Sequence, residues 1–137
     1  MKTALDSNVL SSLWSAEPSA SHVKKELVKA RAEGSIVVCA VVYAELAAHP
    51  LVSPGMVDRL LAEADITVEF DLDAAIWRKA ADAFASYAQR RRRSGGVSPK
   101  RLLPDFLIAA HALLSADRLL TLDPSRYKQD FPQLRLM

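Results

Sequence analysis

From Ile36 the chain reads Ile-Val-Val-Cys-Ala-Val-Val, apolar at every position through Val42 and mostly β-branched. That pattern fits a strand covered on both faces, and such a strand needs helices above and below it. The rest of the chain supplies them. Residues 3–5 form a short apolar strand, and Asp6-Ser7-Asn8 after it suit a turn and the N-cap of a helix. Val23, Leu27 and Ala30 lie along one side of a half-exposed helix that Gly34 terminates. Helical spacing resumes at Val41 and runs to Pro50, a second one-sided helix covers 54–64, and 66–70 is another β-branched strand.

In residues 72–89, Ile76, Ala80, Phe84 and Tyr87 share one stripe of a long amphipathic helix, which ends in four arginines and the one flexible-looking break, Ser-Gly-Gly. Residues 106–114 are apolar nearly all round, which predicts a buried helix. Pro104 suits its first turn, and Asp105 complements the positive end of its dipole. A last strand, 118–122, stops at Asp123-Pro124, and the tail 133–137 is a candidate edge strand. Strands alternating with helices predict an α/β fold: three layers, α/β/α, around a mostly parallel sheet of four to five strands. With 137 residues, half of them hydrophobic, the chain suits a single domain spanning 1–137.

The net charge of +2 is too small to argue for nucleic acid by itself, so the placement of charge matters more than its sum. Cys39 is the only cysteine; it excludes an internal disulfide, reads as a core thiol and fits a reducing compartment. No stretch approaches the ~18 uninterrupted apolar residues of a membrane span. Asp6 interrupts what would be the apolar region of a signal peptide, so a cytoplasmic location without membrane association is expected.

In an open parallel sheet, ligands bind outside the carboxyl ends of the strands. Asp6 and Asp123 each follow a strand directly, Glu45 lies on the helix entered from 36–42, and Asp105 opens the buried helix. Each acid has an ordinary reading, as a helix-end charge, a turn residue or a solvent-facing carboxylate. Together they are harder to dismiss, because Glu45 and Asp105 stand among apolar neighbours, where a carboxylate needs a partner. A shared divalent cation is a sufficient one. All-oxygen donor sets suit Mg²⁺ or Mn²⁺, whose chemistry includes hydrolysis of phosphodiesters by an activated water.

Four pieces, Leu-Asp-Ser-Asn-Val-Leu at 5–10, Val-Val-Tyr-Ala-Glu-Leu at 41–46, Pro-Asp-Phe-Leu-Ile-Ala-Ala-His-Ala-Leu at 104–113 and Arg-Leu-Leu-Thr-Leu-Asp-Pro-Ser-Arg-Tyr at 118–127, occur in a familiar order and spacing. The chain resembles the PIN-domain ribonucleases, and closely the VapC toxins of bacterial toxin–antitoxin pairs, over its whole length. The resemblance implies a PIN-like fold with Asp6, Glu45, Asp105 and Asp123 as a metal-binding, catalytic acidic quartet. It makes Asn8 and Thr121 supporting polar residues. It also implies Mg²⁺- or Mn²⁺-dependent cleavage within single-stranded regions of RNA, leaving a 3′ hydroxyl and a 5′ phosphate, a homodimer, and a cognate antitoxin lying across the acidic groove. Ala40 departs from the small hydroxyl residue that relatives often carry before the glutamate helix.

Arg90, Arg91, Arg92 and Arg93, followed by Lys100 and Arg101, form a basic cluster suited either to a solvated helix end or to an RNA backbone. His49, four residues after Glu45, reads as a helix cap before a metal ligand, His111 as a packed or hydrogen-bonded side chain, and His22 as a surface residue. Asp117 precedes its strand and belongs at the opposite sheet edge. Trp14, Trp77, Phe84 and Tyr87 read as core or dimer interface. The competing readings are a catalytically idle module that only binds RNA or protein, and a phosphotransfer domain with Asp6 as phosphoacceptor. The second lacks the neighbouring acid and lysine it would need.

Overall fold

The structure is a computed structural model, and it describes residues 1–96 and 103–137. In chain order the elements are β1 (Lys2–Leu5), α1 (Ser7–Trp14), α2 (Ala20–Glu33), β2 (Ser35–Cys39), α3 (Ala40–Ala47), α4 (Pro54–Glu63), β3 (Ile66–Glu69), α5 (Ala74–Arg93), α6 (Leu103–Ser115), β4 (Arg118–Leu120) and α7 (Ser125–Lys128). The four strands form one all-parallel sheet in the order β3-β2-β1-β4. Consecutive residues Thr3, Ala4 and Leu5 of β1, and Ile36 to Cys39 of β2, are all at most 2% exposed. Successive strand side chains point to opposite faces, so both faces are covered and the layering is α/β/α. No helix among the described residues is long and apolar enough to cross a membrane.

The strand order places a topological switch at β1. The chain first winds outward from β1 through β2 to β3, then returns to add β4 on the other side of β1. The crevice left outside the carboxyl ends of β1 and β4 is where such sheets bind ligands. At the other edge, Met1 packs so tightly on Gly34 that a Cβ there would lie 1.9 Å from the Met1 carbonyl oxygen. Only glycine admits that approach.

Several boundaries differ from the sequence reading. The apolar run 36–42 is not one strand: β2 stops at Cys39 and Ala40 opens α3. The hydrophobic run continues across the junction because the start of α3 is itself buried, with Val42 fully enclosed, so composition does not mark where the backbone turns. Helix α5 starts at Ala74, two residues later than expected, and ends in the four arginines as expected, where cations face the negative end of the dipole. Strand β4 ends at Leu120, since Thr121 and Leu122 turn to bond with α1 residues instead of continuing the ladder. The tail runs parallel to β4 but makes a single bridge, Leu119 to Leu136, so the sheet keeps four strands.

Candidate active site

Asp6 leaves β1 directly into the first turn of α1, and its backbone N–H still bonds to Leu120 of β4. Its carboxylate is 2% exposed. Two hydroxyls donate to the same oxygen, Oδ2: Thr121 Oγ1 at 2.9 Å and Tyr127 at 2.7 Å. Oδ1 faces only the Ser7 hydroxyl, at 3.5 Å, among the hydrogen bonds of the described residues. The buried anion is thus anchored through one oxygen, while the other is left to meet a ligand.

Thr121 Oγ1 also accepts from the Asn8 amide at 3.4 Å and from the Asp123 backbone N–H at 3.1 Å, while Asn8 Oδ1 takes the Leu122 N–H at 3.2 Å. These bonds tie the start of α1 to the loop after β4 and hold the segment that carries Asp123. Ser125 bonds Asp123 Oδ1 at 2.8 Å. Arg126 joins two of the predicted acids: its guanidinium lies 3.3 Å from Asp105 Oδ1 and 3.3 Å from Asp123 Oδ2.

Glu45 projects from α3 at an exposed position, which corrects the expectation of a carboxylate enclosed by apolar neighbours; its helix buries Val42 and Leu46 instead. Its acidity still reports the other acids. Partial desolvation raises its pKa first and the Asp6 charge next, with Asp105 adding, while the Ser7 hydroxyl and Arg126 act in the opposite direction. For Arg126, partial burial opposes the charge, but Asp105, Asp123 and Asp6 outweigh it and raise the pKa above the usual arginine value. Burial, and then the Asp6 charge, push the Tyr127 phenol far above the ordinary tyrosine range, so it stays a donor.

All four predicted acids, with Asn8 and Thr121, therefore sit at the carboxyl edge of the sheet. Their donor chemistry, carboxylate oxygen throughout, suits a hard divalent cation. Their present spacing does not yet make a cage, since no three His, Cys, Asp or Glu side chains gather at metal-binding distance among the described residues. The cation that two of them hold is Arg126.

A PIN domain sequence profile matches residues 3–131. The chain belongs to the PIN domain family. Its fold is also that of two solved toxin–antitoxin assemblies. VapBC2 from Rickettsia felis, bound to a DNA fragment from its promoter, matches with a TM-score of 0.65 at 20% identity, over 100% of this chain and 98% of the matched one. VapBC-1 from nontypeable Haemophilus influenzae matches with a TM-score of 0.61 at 21% identity, over 100% and 97%. No curated protein sequence matches this PIN domain chain.

The remaining predicted residues separate. Arg90 ion-pairs with Asp130, whose side chain is 3% exposed, and lies over the Tyr87 ring, so it is committed to packing. Arg92 and Arg93 are exposed and Arg91 partly buried, while Lys100 and Arg101 lie outside the described residues, as does part of the Ser-Gly-Gly break's continuation. His49 follows α3 and its ring bonds away from the acids: Nε2 meets Ser15 Oγ at 2.8 Å, Nδ1 accepts the Leu51 N–H, and the ring stands edge-on to Trp14. His111 is buried against Glu69, and Asp117 accepts the Lys2 N–H at the far sheet edge, both as expected. Trp77 is not core; it is 48% exposed beside the groove that holds Glu45.

Sequence reasoning passed over Tyr127 and Arg126, which contact Asp6 and Asp105. The signal was within the fourth motif, where Arg-Tyr follows Asp123 by three and four residues. Those offsets acquire meaning only once the short helix α7 folds them back over β1.

Proposed function

We propose that this PIN domain is a Mg²⁺- or Mn²⁺-dependent endoribonuclease, the toxin of a toxin–antitoxin pair. The observation that carries the reading is the convergence of Asp6, Glu45 and Asp105 at the switch point of the sheet, close enough that the first and third raise the pKa of the second. Like charges are brought together at a folding cost, and a divalent cation is the partner that offsets it.

Asp6, Glu45, Asp105 and Asp123 would hold the cation, which when bound supplies charge to the phosphodiester and lowers the pKa of a water. The chain's own residues do the positioning. Thr121 and Tyr127 both hold Oδ2 and so fix the rotation of the Asp6 carboxylate, leaving Oδ1 with the Ser7 hydroxyl at 3.5 Å. Asn8 and Thr121 fix the Asp123 segment, and the exposed setting of Glu45 places a weakly acidic carboxylate at the mouth, where a water's proton can be taken up. Arg92 and Arg93, both exposed, are available to the strand's phosphates.

The reading includes two protein partners. One antitoxin segment would lie across the acidic groove, and a separate groove lined by Leu13, Trp14, Leu27, Val28 and Leu60, which holds none of the four acids and has Val28 71% exposed, offers another an apolar seat. Phe70 and Trp77, 58% and 48% exposed, form a second apolar face suited to a homodimer in the cytoplasm. The loose spacing of the carboxylates favours one rival, a catalytically idle binding module.

Purified chain incubated with bacterial RNA and Mg²⁺ or Mn²⁺, beside a chelator control and Asp105→Asn, separates the two. Discrete metal-dependent fragments, absent with the variant, are expected. Absence of both metal binding and cleavage by the wild type would leave the binding module.

A further inference from the structure

Arg126 is the one guanidinium that bridges two of the four acids among the described residues, and it does so from a half-exposed position on α7. Asp105 comes from α6 and Asp123 from the loop after β4, so the bridge spans two elements that no strand pairing joins. A cation already stands where two carboxylates converge, and among the described residues no third His, Cys, Asp or Glu joins them at metal-binding distance. We propose that Arg126 is a built-in counter-cation, which holds the acids in their metal-free arrangement and must leave Asp105 and Asp123 when a divalent cation binds.

The inference rests on the metal-dependent reading above. It adds that the chain sets its own threshold for metal. A carboxylate oxygen 3.3 Å from a guanidinium nitrogen is engaged by charge and hydrogen bond, and a cation of higher charge must exceed both to take it. Arg126 is 40% exposed and can withdraw its guanidinium into solvent, while Asp105, at 18% side-chain exposure, needs the incoming cation to compensate its charge, so the two cations exchange. Asp6 feels Arg126 only through charge, because its hydrogen bonds on Oδ2 come from Thr121 and Tyr127. The acid at the end of β1 is thus fixed in advance, and the two outer acids are the ones exchanged.

Arg126 acts through the acids and is a positioning residue, so its test reads metal binding in the absence of RNA. Mn²⁺ is titrated by electron paramagnetic resonance and calorimetry into the full chain, into Arg126→Gln and into Arg126→Lys, at about 0.15 M salt to screen distant charges. Removing one positive charge from the ligand set should tighten Mn²⁺ binding by about tenfold in Arg126→Gln, with Arg126→Lys within about threefold of wild type. Equal or weaker binding by Arg126→Gln, or tightening of the same size in Arg126→Lys, overturns the counter-cation role and leaves the nuclease reading standing. Failure of all three proteins to bind Mn²⁺ overturns the metal-dependent reading itself.

Discussion

Tyr127→Phe removes one oxygen from a side chain that is fully buried and leaves the ring in place. The lost group is a donor 2.7 Å from Asp6 Oδ2, and the carboxylate it serves is 2% exposed. A hydrogen bond to a buried charge contributes about 1.5–3 kcal/mol, and little cavity term is added because the ring still packs. The variant should lose about 2 kcal/mol, not more, because Thr121 still donates to the same oxygen. Urea unfolding with chelator present measures this, and a urea slope near 2 kcal/mol/M would move the midpoint down by about 1 M. Thr121→Val completes a double-mutant cycle. The pair should cost more together than the sum of the singles, since the second loss strands the carboxylate without a side-chain hydroxyl on Oδ2. A Tyr127→Phe variant within about 0.5 kcal/mol of wild type would mean that the hydroxyl does not anchor Asp6, and the argument for a fixed Oδ1 would fall with it.

Glu45 has a folded-state pKa above that of the unfolded chain, so the native state binds its proton more readily, and its contribution to stability falls as pH rises through the window between the two values. Metal-free Glu45→Gln should therefore unfold later than wild type at pH 7, and the difference should vanish below the ordinary carboxylate range; a variant less stable at pH 7 contradicts the assigned repulsion. Gly34→Ala should destabilise by at least about 1–3 kcal/mol, because the clash is with Met1 backbone and no side chain can swing away. Its midpoint in the same urea assay checks this, and an unchanged value would show that the N-terminal edge relaxes freely.

The acids themselves were legible before any coordinates, because their signal is local: an aspartate directly after an apolar strand lands at the carboxyl edge whatever the rest of the chain does. Asp6 follows that rule, Asp123 reaches the same edge through the turn at Thr121 and Leu122 that follows β4, and the four motifs identified the PIN domain resemblance that the sequence profile bears out. Boundaries inside continuous apolar runs were not legible. Cys39 and Ala40 are both apolar in an unbroken apolar run, and only the backbone's change from extended to helical geometry separates β2 from α3. The exposure of Glu45 was not legible for a related reason: Val42 and Leu46 turn into the core while Val41 and Ala44 line the same groove as Glu45, so apolar neighbours in sequence do not fix how deeply the acid between them lies.

By itself, then, the sequence determined the alternation of strands and helices, the parallel sheet covered on both faces and the choice of candidate acids, since each depends on residue type and short-range period. Only the tertiary structure decided what those acids touch. Tyr127 reaches Asp6 across 121 positions of chain, and Arg126 reaches Asp105 across 21. No local pattern encodes such distances, because they arise when the strand order β3-β2-β1-β4 brings the end of the chain back beside its beginning.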